Sequence, residues 1–467
     1  MSAAASPARH ATDIGEVLDT GAWTTMQRTV VVLAALSIVM DGFDGQLIGF
    51  AVPVLIKEWG LARGDFAPAL AAGLVGMGIG SACAGLFADR FGRRWAVIGS
   101  VLVFGLATCA ISLANGLWGI GILRFVAGLG IGGALPSSTT VTAEFTPARR
   151  RTLAITATIV CVPLGGMLAG VFAGLVLPSL GWRALFLLGG MLPVAYGLLL
   201  IVVLPESPRF LARRPNRWPE LARLLGRMAR PVPAGAAFTD ATEQRQEQRE
   251  GLPALFEAGR ARDTIALWCA FFLNLLAVYS AFSWLPTMLN AAGLDVAVAG
   301  SGLTAYNFGG VFGALLCAVA ITRFGSRGPL LLCSLGGAAT AFALTGVDIR
   351  TSTGLLIAGF GLQGFFANAT QSTMYAVCAH VYPTTVRATG TASALAFGRL
   401  GAILSAFAGA VVITTGGSGG YLVMLGLAMT GVALALTAVR RHIPAMGASV
   451  PVQETPAPAP AAVAAER

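Results

Sequence analysis

The sequence predicts an all-α polytopic membrane protein, with twelve transmembrane helices in two six-helix pseudo-symmetric bundles, on three observations. Of its 467 residues, 56% are apolar and only 11% charged, against roughly 25% charged in soluble domains. Apolar runs long enough to cross a bilayer as helix recur from Thr29 to Val439 with short polar breaks. The loops of the first half of that region reappear in the second, as in an internal duplication.

In chain order, the first six spans fall near 29–56, 66–88, 95–113, 117–143, 153–178 and 184–204. The second six fall near 263–290, 299–321, 329–347, 352–379, 388–414 and 419–439. The bundles are thus 29–204 and 263–440. Of the 31 Lys and Arg residues, Lys57, Arg63, Arg183 and Arg350 lie in loops on one side, and Arg124 and Arg399 lie inside spans. All the others lie on the side of the termini. That asymmetry is expected to place both termini in the cytoplasm, on the inner side of the membrane. It also reads the formal charge of +10 as a topology signal and not a nucleic-acid footprint.

Residues 1–28 are expected to form a cytoplasmic N-terminal segment. Asp13, Glu16 and Asp19, with no small-residue cleavage site, argue against a removable signal. The stretch 205–262, rich in Arg, Glu, Gln and Pro, reads as a cytoplasmic linker between the bundles. Within it, 219–229 fits a helix lying on the membrane surface, and 231–251 has too few large apolar residues to fold alone. The Pro/Ala-rich stretch 441–467 reads as a disordered cytoplasmic tail. The seven cysteines all sit in apolar runs without CxxC or Cys/His spacing, so neither a disulfide framework, a metal site nor a cofactor is expected.

The repeated loops carry the most specific pattern. Ala88-Asp89-Arg90-Phe91-Gly92-Arg93-Arg94 follows span two, and Ile321-Thr322-Arg323-Phe324-Gly325-Ser326-Arg327 follows span eight. Pro147 to Arg151 corresponds likewise to Pro383 to Arg387. Over nearly all of 29–440, with the loop Gly85 to Arg94 as its clearest mark, the chain resembles the major facilitator superfamily. More narrowly, Asp41-Gly42-Phe43-Asp44, Arg124 with Gly128, Gly130, Gly132 and Gly133, Pro205-Glu206-Ser207-Pro208-Arg209, and Tyr382 to Gly390 leading to Gly398-Arg399-Leu400-Gly401 are similar to the aromatic acid:proton symporters. That resemblance implies import of a benzoate-type carboxylate with protons. Thr322 stands where the family pattern repeats the acid of the first loop, so a latch symmetric between the halves is not expected.

Charges inside spans are expensive and mark function. Asp41 and Asp44 lie roughly 18–22 Å into a helix that starts at the inner face, near the midplane. Three residues apart, they share one helix face, and an acid there can take up a proton at one membrane face and release it at the other. They are the proton-coupling candidates, with a structural pairing to Arg124 as the alternative. Arg399 lies ~16 Å deep by the same rise. Its planar fork fits a carboxylate bidentately, so it is the first substrate candidate, and an internal ion pair with an acid of span one is the competing reading. Arg124 is either a second substrate contact or a fixed structural partner. Tyr306, Asn307, Asn368 and Gln371 are further lining candidates, because amides and aromatic rings in a helix core suit an aryl solute.

Asp89, Arg90, Gly92 and Arg93 in the first loop, with Glu144, Arg151 and Arg387 at inner helix ends, are the gating candidates. Opposite charges and helix dipoles meeting across the halves would hold the cytoplasmic side shut. The reading is a secondary transporter whose partners are a small aromatic carboxylate, protons and the lipid bilayer, with no nucleic acid, expected as a monomer. Another organic anion, a sugar-like solute or a non-transporting receptor are the alternatives. An enzyme is not expected, since the spans hold no nucleophile–base pair, Walker loop or histidine dyad.

Overall fold

The computed structural model describes residues 12–233, 236–240, 252–257, 259–349, 351–382 and 386–445. A short helix, α1 (Ile14–Thr20), precedes five long ones: α2 (Thr25–Trp59), α3 (Arg63–Phe91), α4 (Arg93–Ile111), α5 (Leu117–Phe145) and α6 (Ala148–Val203). Two short helices, α7 (Pro208–Ala212) and α8 (Trp218–Arg227), open the connection to the second half. That half contains α9 (Ala261–Ala291), α10 (Val296–Phe324), α11 (Arg327–Leu344), α12 (Thr353–Val381) and α13 (Arg387–Ala438).

Spans five and six are continuous in the 56-residue α6, and spans eleven and twelve in the 52-residue α13. Each breaks at a glycine of positive φ, Gly181 at 75° and Gly417 at 58°. Each therefore consists of two helical rods, and twelve rods stand where twelve spans were expected. Nine of the long helices among the described residues are long and apolar enough to cross a membrane. The tenth, α12, carries the amides Gln363, Asn368 and Gln371.

The halves are built alike. In the first, α2 packs on α6, α3 on α5, and α4 on both α5 and α6. In the second, α9 packs on α13, α10 on α12, and α11 on both α12 and α13. Between the halves α2 meets α9, α3 meets α13 and α6 meets α10. The α5 glycines serve packing, as their spacing suggests: a Cβ on Gly128 would lie 2.1 Å from the Gly73 carbonyl oxygen, and one on Gly132 only 2.0 Å from that of Met77. The start of α2 is fixed by a capping box between Thr24 and Gln27. The Gln27 amide also donates to the Phe145 carbonyl (3.1 Å), tying that start to the end of α5.

The connection differs from the expectation. The apolar stripe of α8 is covered by the chain itself and does not face a membrane: Leu221, Leu224 and Leu225 are buried, and Trp218 meets Phe238 edge-on at 5.7 Å. Residues 236–240 fold because the N-terminal segment supplies a partner. Thr12 and Asp13 pair in parallel with Phe238 and Thr239, and Asp240 receives Arg209 at 3.1 Å. Residues 241–251, and 446–467 of the expected tail, lie outside the described residues. Residues 442–445 return to the loop between α10 and α11, where Ser326 and Ile443 exchange hydrogen bonds of 3.0 and 2.9 Å.

Candidate functional site

A cavity lies between the halves at mid-bundle. From the first half it is lined by Asp41, Gln46, Met77 and Arg124, and from the second by Tyr279, Phe282, Asn368, Gln371, Tyr375 and Arg399. Both intramembrane arginines and one of the two aspartates thus reach one space. On α12 the lining residues 368, 371 and 375 follow the three-to-four spacing that puts them on one face.

Arg399 projects from α13 toward α9 and α3. Its Nη1 donates to the Tyr279 hydroxyl at 2.6 Å and lies 2.7 Å from the Met77 thioether of the other half. The guanidinium stands 5.5 Å from the centre of the Tyr279 ring, and the Tyr279 hydroxyl itself reaches Met77 at 3.4 Å. Asp41, on the facing helix α2, sits in the field of Arg399, and its Oδ1 is enclosed without a hydrogen-bond partner.

Asp44 is turned away from the cavity toward α5 and α4, in the field of Arg124 and beside Thr108. It is fully buried, and among the described residues neither carboxylate oxygen has a partner within hydrogen-bond distance. Arg124 donates through Nη2 to the Gly45 carbonyl at 3.3 Å, while its Nε and Nη1 are buried without partners. The structure therefore sorts the four charges into two facing couples, Asp41 with Arg399 across the halves and Asp44 with Arg124 within one. The shared helix face expected for the two aspartates is divided between them.

Of the other lining candidates, Asn368 and Gln371 reach the cavity. Tyr306 and Asn307 lie behind its wall. Tyr306 is 1% exposed and stands edge-on to Phe282 at 6.1 Å. Asn307 exchanges amide hydrogen bonds with Gln46 of the other half, at 2.7 and 3.2 Å. Gln46 and Met77 are among the cavity residues that the sequence reading did not single out for a role. A lone glutamine or methionine in an apolar helix carries no spacing signal, whereas a charge does.

The contacts between the halves gather on the side of the cavity away from the chain termini. There the Gln46–Asn307 pair, Gly49 against the Phe282 carbonyl, and Phe50 beside Gly300 bring α2 onto α9 and α10. At the termini end, the gating candidates find partners within their own halves. Arg93 pairs with Asp89 (2.8 Å) and Glu144 (3.5 Å). Ser207 donates to Glu144, and Arg151 pairs with Asp19. Arg214 of the connection donates to the Arg90 carbonyl, and Arg387 donates to the Tyr382 carbonyl at 3.2 Å. Among the described residues, the meeting of these charges across the halves, expected from sequence, is not seen, and the contacts between halves lie at mid-bundle and at the other end. Glu206 is drawn into the same network: its Oε1 accepts from the amides of Arg94 (3.0 Å) and Ser207 (2.9 Å). Burial raises the Glu206 carboxyl above its ordinary pKa, against the pull of those amides.

Two bundles alike in packing, with a charged cavity between them, match known proteins. Residues 30–440 fit the profile of the family described as sugar (and other) transporter. The chain belongs to that family, within the major facilitator superfamily. It is a multi-pass membrane transporter and not an enzyme. It is 33% identical over 427 residues to a gallate transporter of Pseudomonas putida, covering 91% of this chain and 94% of that one. It is 34% identical over 391 residues to the 4-hydroxybenzoate transporter PcaK of the same organism, covering 84% and 87%. Among solved structures, it resembles a partially occluded inward-open conformation of the xylose transporter XylE from E. coli. There the TM-score is 0.70 at 19% identity over 88% of this chain and 97% of that one, a likeness of fold.

Proposed function

We propose that this chain imports an aromatic carboxylate of the benzoate or hydroxybenzoate type into the bacterial cytoplasm by proton symport, through alternating access of the central cavity. The observation that carries this reading is the convergence of Arg399, Arg124 and Asp41 on one cavity whose walls include Tyr279, Phe282 and Tyr375. The guanidinium fork suits a carboxylate, and the ring faces suit an aryl body. Names of the relatives, gallate and 4-hydroxybenzoate transporters, favour the same class of solute.

In this mechanism the entering anion competes with Asp41 for the field of Arg399. A buried carboxylate deprived of its counter-charge is costly, so Asp41 takes up a proton as the anion binds. Asp44 and Arg124 form the second acid–base couple, deeper in the first half. Asn368 and Gln371 orient the ring. Asp89, Arg90, Gly92, Arg93, Glu144, Arg151 and Arg387 act at the termini end, holding that end shut in the outward-open state.

Uptake of radiolabelled 4-hydroxybenzoate into cells expressing the protein, with and without a protonophore, tests the reading. Accumulation that collapses with the proton gradient is expected. Concentrative uptake that survives the protonophore would refute the proton coupling, and normal concentration by both Asp41→Asn and Asp44→Asn would refute the assigned acids. Arg399→Lys is expected to weaken carboxylate uptake more than that of a neutral aryl analogue, because a point charge does not reproduce the fork.

A further inference from the structure

Away from the cavity, Cys317 of α10 and Cys333 of α11 face one another with their Sγ atoms 3.9 Å apart. They are 4% and 6% exposed. With Ile321 and Ala369 they form a small apolar cluster separate from the main core, against which Phe366 and Ile443 lean. From α12, the Thr373 hydroxyl lies 3.1 Å from Cys317 Sγ and 2.8 Å from the Ala369 carbonyl oxygen, and shares its one proton between them. A hydroxyl donated to sulfur stabilises the thiolate, the reactive form of cysteine. The two sulfurs lie roughly 10 Å inside the termini ends of their helices, by the helical rise.

We propose that Cys317 and Cys333 are a redox dithiol, which a peroxide closes to a disulfide that staples α10 to α11. Cys317 attacks one peroxide oxygen: an S–O bond forms, the O–O bond breaks, and the departing hydroxide leaves as water with the Cys317 proton. Cys333 then attacks that sulfur: the S–S bond forms, the S–O bond breaks, and the hydroxyl leaves as a second water with the Cys333 proton. Two thiols are oxidised, and one peroxide is reduced to two waters. A disulfide needs its sulfurs about 2.05 Å apart, so closure asks for a movement of roughly 2 Å shared by two side chains. The bond forms about two helical turns from the loop Gly325–Ser326, the same loop that residues 442–445 clasp from the other side. This inference is independent of the solute carried.

The reduced full-length protein in lipid nanodiscs, treated with hydrogen peroxide, denatured, alkylated and digested, tests it. A linked peptide pair containing Cys317 and Cys333 is expected, cleaved by dithiothreitol and absent from Cys317→Ser and Cys333→Ser. Thr373→Val is expected to slow its formation about three- to tenfold, the worth of one hydrogen bond. Recovery of both cysteines alkylated after peroxide, or links from Cys83 or Cys269 forming as fast, would overturn the dithiol. An unchanged rate in Thr373→Val would overturn Cys317 as the attacking thiolate.

Discussion

The loop after α3 and the loop after α10 hold equivalent places in the two halves, yet they are fastened by different chemistry. In the first, carboxylates do the work: Glu206 accepts two backbone amides, one of them from Arg94, and Arg93 lies between Asp89 and Glu144. In the second, Ser326 and Ile443 exchange hydrogen bonds, 3.0 Å from the Ser326 amide to the Ile443 carbonyl and 2.9 Å from the Ile443 amide to the Ser326 hydroxyl. His442 Nδ1 stands 3.2 Å from the same hydroxyl. A duplicated scaffold therefore keeps its helix packing while its loops diverge. The first is anchored by charge to the connection between the halves, and the second by backbone to the segment that follows α13.

The largest expected effect breaks the first fastening. Gly92 has φ of 108°, and a Cβ there would fall 2.1 Å from Glu206 Oε2. Gly92→Ala strains the backbone and drives Glu206 off the amides of Arg94 and Ser207, leaving buried donors unpaired. A loss of about 3 kcal/mol is expected from those two costs together. It is read as a fall in the thermal midpoint of the detergent-purified protein, and an unchanged midpoint would remove Glu206 from the fastening. The counterpart in the second half is smaller. Gly325 has φ of 76°, with the virtual Cβ 2.8 Å from the Ile443 carbonyl oxygen. Gly325→Ala is expected to cost about 2 kcal/mol, and less once the chain is cut after Arg441, because the clash goes with Ile443 while the backbone strain stays. An equal cost in both backgrounds would show that the terminal segment is not what presses on this loop.

Much of this contrast was legible in the sequence and some was not. The repeated loops, the break in their symmetry at Thr322 and the charges inside spans are exceptions to an apolar background, and exceptions can be read without coordinates. Residues 442–445 carry no motif, so their return to Ser326 had no signal at all. The 205–262 connection misled for a physical reason: its apolar stripe was read as seeking membrane, whereas Leu225 is buried and the half-buried Trp218 packs edge-on against Phe238 of the same connection. In the cavity, Arg399 and Asp41 stood out as charges, but helical phase at one-residue precision decides whether Asn307 or Asn368 lines it. The sequence alone does not supply that phase, and Gln46 became visible only through its bond to Asn307.

Ser326→Ala sharpens the comparison further. It removes the hydroxyl that accepts from Ile443, and about 1 kcal/mol is expected. Faster hydrogen exchange at the Ile443 amide in the variant would report it, and unchanged exchange would count against the second fastening. Smaller still is the acid dependence of the first. Burial places the folded-state pKa of Glu206 above its unfolded value, so folding takes up a proton at this group. Its contribution to stability is complete below the unfolded pKa, about 4.3, and is lost as pH rises through the folded value. Glu206→Gln has no such titration. The midpoint of the wild type should therefore fall, relative to that of Glu206→Gln, as pH is raised across this window. A difference that grows in the opposite sense would mean that the two amides outweigh burial.

The smallest expected effect decides whether the lost acid of the second loop matters by itself. Thr322→Asp restores the residue type at the position of Asp89, but Asp89 has Arg93 four residues on, bonded at 2.8 Å, whereas Thr322 has Ser326 there, engaged with Ile443. Position 322 is exposed, and an exposed acid without a geometrically set partner changes stability by less than about 0.5 kcal/mol. The midpoint of Thr322→Asp is accordingly expected to match the wild type. Adding Ser326→Arg supplies the partner but removes the serine hydroxyl from Ile443, so the double variant should be less stable than Thr322→Asp alone by about the cost of Ser326→Ala. A double variant more stable than either single one would show that the ionic fastening can be rebuilt in the second half, and that the backbone clasp there is an addition to it and not its replacement.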